Sequence, residues 1–286
     1  MAEGEISRVL ETRYGPVEYA LAGDGPGTLV MMNGAGGSYR HGLLMAEILE
    51  GLPVRVVGLS RPGYHRTPLE SGHTTEAQAD LAAAVLDQLG FEQAFIAGIS
   101  AGGIPAIQFA LRHPQRCMGL VLLSAANPAM NLTEPGPWQR AQASFLNVTL
   151  HFDLPMRVMV KFFEHPVCKF MGWTPEDVDD QKAWKLIHAV MSGLTPTNLW
   201  ADGAVNDIKQ ALISEPGILE RIAVPTLIMH GTRDEQVPCK LALHASRAIP
   251  GAKLVTIEDG SHMILATHWR TIREHMGKFL SGYKEF

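Results

Sequence analysis

Short apolar runs bounded by glycine, proline or polar turns recur along the chain, and longer stretches with helical patterning fill many of the gaps. The runs are Val9–Tyr14, Val17–Ala22, Thr28–Met32, Val54–Leu59, Ala94–Ala97, Gly119–Leu123, Pro225–Met229 and Lys253–Ile257. The later ones are nearly all apolar, as expected of strands covered on both faces in a parallel sheet. The first two, joined by Gly15-Pro16, read as a hairpin. Between the runs, Thr74–Leu89 has Gly90 as its expected C-cap, Gly102–Arg112 stops before Pro114, and Lys240–Ala248 stops before Pro250. His262–Leu280 is expected to close the chain as one helix. Strand and helix in alternation predict an α/β fold built on a parallel sheet.

The rhythm breaks between about Pro128 and Ile222, where no convincing strand is found. Helical patterns there cover Pro137–Leu150, Pro155–Met171, Pro175–Met191 and Ala204–Ile213. This segment reads as a helical cap inserted between two strands. The expected division is a core of residues 1–127 and 223–286 with a cap of residues 128–222. A length of 286 residues suits one α/β domain with an insertion.

Composition removes several classes of function. The net charge is −5 and no Lys/Arg run exists, which argues against a nucleic-acid partner. Cys117, Cys168 and Cys239 are few and far apart, so neither a disulfide framework nor a close-spaced metal site is expected. The first residues lack the apolar core of a signal peptide, and no apolar run approaches the roughly 20 residues of a membrane span. A soluble cytoplasmic protein with a small-molecule substrate and no membrane partner is the expectation.

Chemistry concentrates at three strand ends. Gly98-Ile99-Ser100-Ala101-Gly102 is a G-x-S-x-G between an apolar run and a helical pattern. A nucleophile held on such a sharp turn needs small neighbours, which gives Gly98 and Gly102 a physical reason. The helix that follows would place partial positive charge near Ser100. A serine hydroxyl needs a base, and the base needs an orienting carboxylate. Of 12 histidines, His262 is singled out because it follows the last strand, at the same sheet edge as Ser100. His65, His73, His113, His165 and His188 have no comparable placement. Asp234 follows the strand before it and is the expected acid, with Glu235 its nearest rival. Asn33-Gly34-Ala35-Gly36-Gly37 follows the third run, and its amides could hold an oxyanion. A nucleotide loop is disfavoured there, because the third glycine of a dinucleotide motif and a P-loop lysine are both missing.

With these motifs and Ser60-Arg61-Pro62-Gly63-Tyr64, the sequence resembles the α/β-hydrolase superfamily over essentially its whole length. The resemblance implies an eight-stranded, mostly parallel sheet with helices on both faces and a helical lid after the sixth strand. It implies a Ser100–Asp234–His262 triad, an oxyanion hole from the backbone N–H groups of Ala35 and Ala101, and no cofactor. Asn33 stands where the family usually has His, so loop packing is expected to differ. Met263 follows His262 where carbon–carbon bond hydrolases of this fold often carry Trp.

The expected activity is cleavage of a carboxylic ester, lactone or thioester of a small apolar acyl or aryl substrate. The expected pocket draws on cap residues such as Trp138, Phe145, Phe162, Trp173, Trp184 and Trp200. Alternatives are carbon–carbon bond hydrolysis or cofactor-free perhydrolysis by the same triad, or a non-catalytic ligand receptor on this fold.

Overall fold

The structure is a computed structural model that describes residues 7–129, 153–154, 157–158, 180–213 and 217–282. Its strands are β1 (Arg8–Thr12), β2 (Gly15–Ala22), β3 (Gly27–Met32), β4 (Val54–Leu59), β5 (Ala94–Ile99), β6 (Cys117–Leu123), β7 (Thr226–Gly231) and β8 (Lys253–Ile257). They form one eight-stranded sheet in the order β1-β2-β4-β3-β5-β6-β7-β8. Only the β1–β2 and β2–β4 pairs are antiparallel.

The apolar runs are explained by two cores. Successive residues of a strand point to opposite faces. Leu29 and Met31 therefore enter one apolar layer, and Val30 and Met32 the other. Helices α1 (Arg40–Ile48) and α8 (Trp269–Ser281) cover the first face, and α2 (Thr75–Leu89), α3 (Gly103–Arg112) and α6 (Lys240–Ala248) cover the second. The end signals of α2 act as the sequence indicates. The Thr74 side chain accepts from the Ala77 amide, and Gly90 takes a left-handed conformation at φ 73°.

Two expectations need correction. The first hairpin turns at Arg13-Tyr14, since Thr12 pairs with Gly15, and Gly15-Pro16 opens β2. The positive φ of 117° falls on Gly15 just after the turn, and Pro16, lacking an N–H, is tolerated at a strand start. The last helix is not continuous from His262. His262 lies in the loop before α7 (Ile264–Thr267), and His268, at φ −121° and ψ 35°, separates α7 from α8. The break lets Ile264, Leu265 and Ala266 pack into the first core on a different line from Ile272 and Met276.

Between β6 and β7 the described residues contain α4 (Gln181–Ser192) and α5 (Ala201–Ala211). Both overlap expected helices. The pattern Pro137–Leu150 lies outside the described residues, and Pro155–Met171 almost wholly so. Ala183, Leu186 and Ile187 of α4, Trp200 and Ala204 join the same apolar layer as α1 and α8. Among the described residues no helix is long and apolar enough to cross a membrane.

Candidate active site

Parallel strands place the loops after β3, β5, β7 and β8 at one edge of the sheet, and these loops build the site. Ser100 follows β5 at φ 51°, a left-handed conformation that a non-glycine residue holds only where its surroundings enforce it. The packing around it is tight. A Cβ on Gly98 would lie 2.4 Å from the Gly102 carbonyl oxygen, and one on Gly102 would lie 2.4 Å from that of Met32. The Ser100 carbonyl accepts from the Ala126 amide at 2.9 Å.

The loops after β7 and β8 are stitched together. The Thr232 amide donates to the Ile257 carbonyl and the Arg233 amide to that of Gly260, both at 2.9 Å. The Asp259 amide donates to Thr232 Oγ1 at 2.9 Å. A Cβ on Gly231 would lie 2.1 Å from the Gly260 oxygen, so the crossing requires glycine. This lattice holds Asp234 and His262 in fixed relation.

Ser100, His262 and Asp234 form one hydrogen-bonded chain. His262 Nδ1 lies 2.8 Å from Asp234 Oδ2, and Nε2 lies 3.0 Å from Ser100 Oγ. A carboxylate only accepts, so Nδ1 carries the proton and the Nε2 lone pair faces the serine hydroxyl. Asp234 Oδ1 accepts from the Gln236 and Val237 amides at 3.0 and 2.8 Å. Burial pushes the Asp234 carboxyl up, but the His262 charge and hydrogen bonds from His230 and His262 outweigh it and hold it well below the usual carboxylate range. Glu235, the rival acid, is exposed.

His230 was not singled out from the sequence. It is buried at the end of β7, with Nε2 2.7 Å from the Val237 carbonyl and 3.2 Å from Asp234 Oδ2. Only the fold reveals this second imidazole against Asp234.

The Asn33–Gly37 loop crosses Ser100, where a Cβ on Gly34 would lie 2.9 Å from the Ser100 Cβ. Among the described residues, the Ala35 and Ala101 amides have no backbone partner. Asn33 braces the loop. Its Nδ2 donates to the Gly34 carbonyl at 2.9 Å, and its Oδ1 accepts from the Arg61 amide at 2.8 Å. His41, also unremarked in the sequence, is buried beside this loop. Burial, aided by the charges of Arg61, His262 and His65, pushes its imidazole down to about 4.

Ser100 and His262 open onto a cavity of about 80 Å³. Its apolar walls are Leu44, Ile99, Leu186, Val190, Leu194, Met263 and Leu265. Among the described residues the apolar part of the lining consists of aliphatic and Met side chains, beside His41 and Gln236. Trp200 is buried, its Nε1 donating to the Leu194 carbonyl at 3.1 Å, and it packs in the core. Trp184 packs against that core, and the other cap aromatics lie outside the described residues. The described residues hold no cluster of metal-ligating side chains. The assembled groups can move a proton from Ser100 to His262 and stabilise the charge that results.

A family profile described as alpha/beta hydrolase fold matches residues 27–268. The chain is similar to 2-hydroxymuconate semialdehyde hydrolase of Pseudomonas sp. (strain CF600), 26% identical over 268 residues that cover 93% of this chain and 84% of that protein. It is also similar to pimeloyl-[acyl-carrier protein] methyl ester esterase of Neisseria meningitidis serogroup C, 25% identical over 258 residues covering 86% and 91%. Among solved structures, it matches an alpha/beta hydrolase fold protein from Nakamurella multipartita with a TM-score of 0.77 and 26% identity, covering 95% and 98% of the two chains.

Proposed function

The chain belongs to the α/β hydrolase fold family, and on that premise we propose that it cleaves a carboxylic ester, lactone or thioester of a small apolar acyl or aryl substrate through an acyl-enzyme on Ser100. The family and its hydrolase-named relatives support hydrolase activity. The observation that carries the finer reading is the chain of hydrogen bonds from Ser100 through His262 to Asp234.

Ser100 Oγ attacks the carbonyl carbon as His262 Nε2 takes its proton. Asp234 keeps the ring in the required tautomer and stabilises the imidazolium. The Ala35 and Ala101 amides donate to the oxyanion. His262 returns the proton to the leaving alcohol or thiol, and water attacks the acyl-enzyme by the same route. No cofactor or metal is needed for these steps. We read residues 128–222 as a cap; among its described residues Leu186, Val190 and Leu194 wall the cavity.

Carbon–carbon bond hydrolysis is the second reading, favoured by the similarity to the semialdehyde hydrolase. Met263 after His262, in place of Trp, weighs toward the ester.

Turnover of a p-nitrophenyl ester, with and without Ser100→Ala, tests the reading. We expect measurable turnover that falls roughly a thousandfold to a millionfold in the variant, and fluorophosphonate labelling mapped to Ser100. No turnover and no adduct would favour a non-catalytic receptor and overturn the serine mechanism.

A further inference from the structure

Among the described residues, two polar side chains of the cavity, His41 and Gln236, are left unused by the reaction as drawn. His41 of α1 lines it together with Ser100 and His262. The ring is fixed on two sides. The Gly34 amide donates to His41 Nδ1 at 3.3 Å. Gly37 lies against the ring, close enough that a Cβ there would sit 2.3 Å from Cε1, 2.6 Å from Nδ1 and 2.9 Å from Nε2. No larger residue leaves the imidazole where it is.

These contacts also fix its protonation. A ring nitrogen that accepts from an amide bears a lone pair, so the proton of the neutral ring is on Nε2. The ring is neutral because burial and the nearby positive charges disfavour a second proton. Among the described residues Nε2 has no hydrogen-bond partner. With Nδ1 engaged by the loop, Nε2–H is the remaining polar group of a ring that lines the cavity. The other side-chain walls around that donor are mostly aliphatic.

Resting on the serine-hydrolase reading, we propose that His41 is a specificity-determining residue whose Nε2–H donates to an acceptor oxygen on the substrate portion that fills this cavity. The substrate class is then an ester whose enclosed portion is short and mostly apolar but carries one ether, keto or hydroxyl oxygen. A plain alkyl chain would leave the donor buried and unpaired, which a site of this kind penalises.

Two matched ester pairs test this: p-nitrophenyl 3-methoxypropanoate against pentanoate, and the 2-methoxyethyl against the butyl ester of butanoic acid. The first pair varies the acyl side and the second the leaving group. The readout is the ether-to-alkyl ratio of kcat/KM in the unmodified protein and in His41→Asn. Asparagine keeps an acceptor oxygen for the Gly34 amide and removes the Nε2–H. Differences in intrinsic reactivity cancel between the two proteins. We expect the ratio to fall about threefold to tenfold in one pair, and His41→Gln, which restores a donor near Nε2, to recover part of it. A ratio unchanged in both pairs would overturn the proposal. If His41→Asn does not fold, nitrogen-15 NMR on the unmodified protein decides. The Nε2–H resonance must shift more in a Ser100 phosphonate adduct bearing an ether chain than in its alkyl counterpart, and equal shifts would overturn the proposal. Absence of any turnover or adduct would instead count against the serine mechanism, which keeps the two failures distinct.

Discussion

Arg61 and Asp207, 146 positions apart in the sequence, meet in a bidentate ion pair at 2.7 and 2.6 Å with the guanidinium almost wholly buried. The Tyr64 hydroxyl also donates to Asp207, at 2.5 Å. The same arginine donates from Nε to the Asn33 carbonyl at 2.6 Å. One side chain thus links α5 to the first residue of the loop that crosses Ser100. Asp207→Asn would leave the Arg61 charge buried without a counter-charge. It should lower stability by about 3–5 kcal/mol, seen as a lower urea midpoint. It should also reduce kcat more than KM, because the loop loses its brace. An unchanged midpoint would show that the pair contributes nothing.

Asp234 and Glu235 are adjacent in sequence but sit in opposite environments, one buried and the other exposed. Asp234→Asn should lower kcat by roughly a hundredfold to ten-thousandfold, since the amide no longer fixes the His262 tautomer. Glu235→Gln should change it by less than about threefold. Steady-state kinetics on the two variants checks this, and reversed magnitudes would reassign the acid.

His41 predicts a pH dependence of stability. Its imidazole lies at about 4 in the folded protein against an ordinary 6.5. Between these values the unfolded chain binds a proton that the folded protein does not. The neutral ring's contribution is therefore fully present above about pH 6.5 and is lost as pH falls toward 4. The loss is on the order of 3 kcal/mol. Urea midpoints measured from pH 7 to pH 4 should fall less steeply in His41→Asn than in the unmodified protein. Parallel slopes would contradict the assignment.

Gly98 tests the turn itself. Gly98→Ala brings a Cβ to within 2.4 Å of the Gly102 oxygen, backbone that cannot rotate away. We expect a loss of about 1–3 kcal/mol or more, together with a fall in Ser100 labelling as the turn shifts. Normal stability and labelling would mean the turn relaxes without cost.

The strands and the hydrogen-bonded trio Ser100, His262 and Asp234 could be read along the chain. Apolar runs located all eight strands; the inner ones, such as β3, β5 and β7, are buried on both faces and read as unbroken apolar runs, and the edge strands β1 and β8 stood out by the turn residues around them. Ser100, Asp234 and His262 were legible because each lies at a strand end, and parallel strands bring such ends to one edge. The hairpin turn and the break at His268 were misread, since both depend on where neighbouring residues pack. The surroundings of these residues are set by packing between distant segments. His230 against Asp234, His41 beside Gly37, and Arg61 reaching Asp207 are contacts across the chain with no local pattern to mark them. Whether a buried histidine acts as base, brace or donor depends on what faces its two nitrogens, and folding sets those partners.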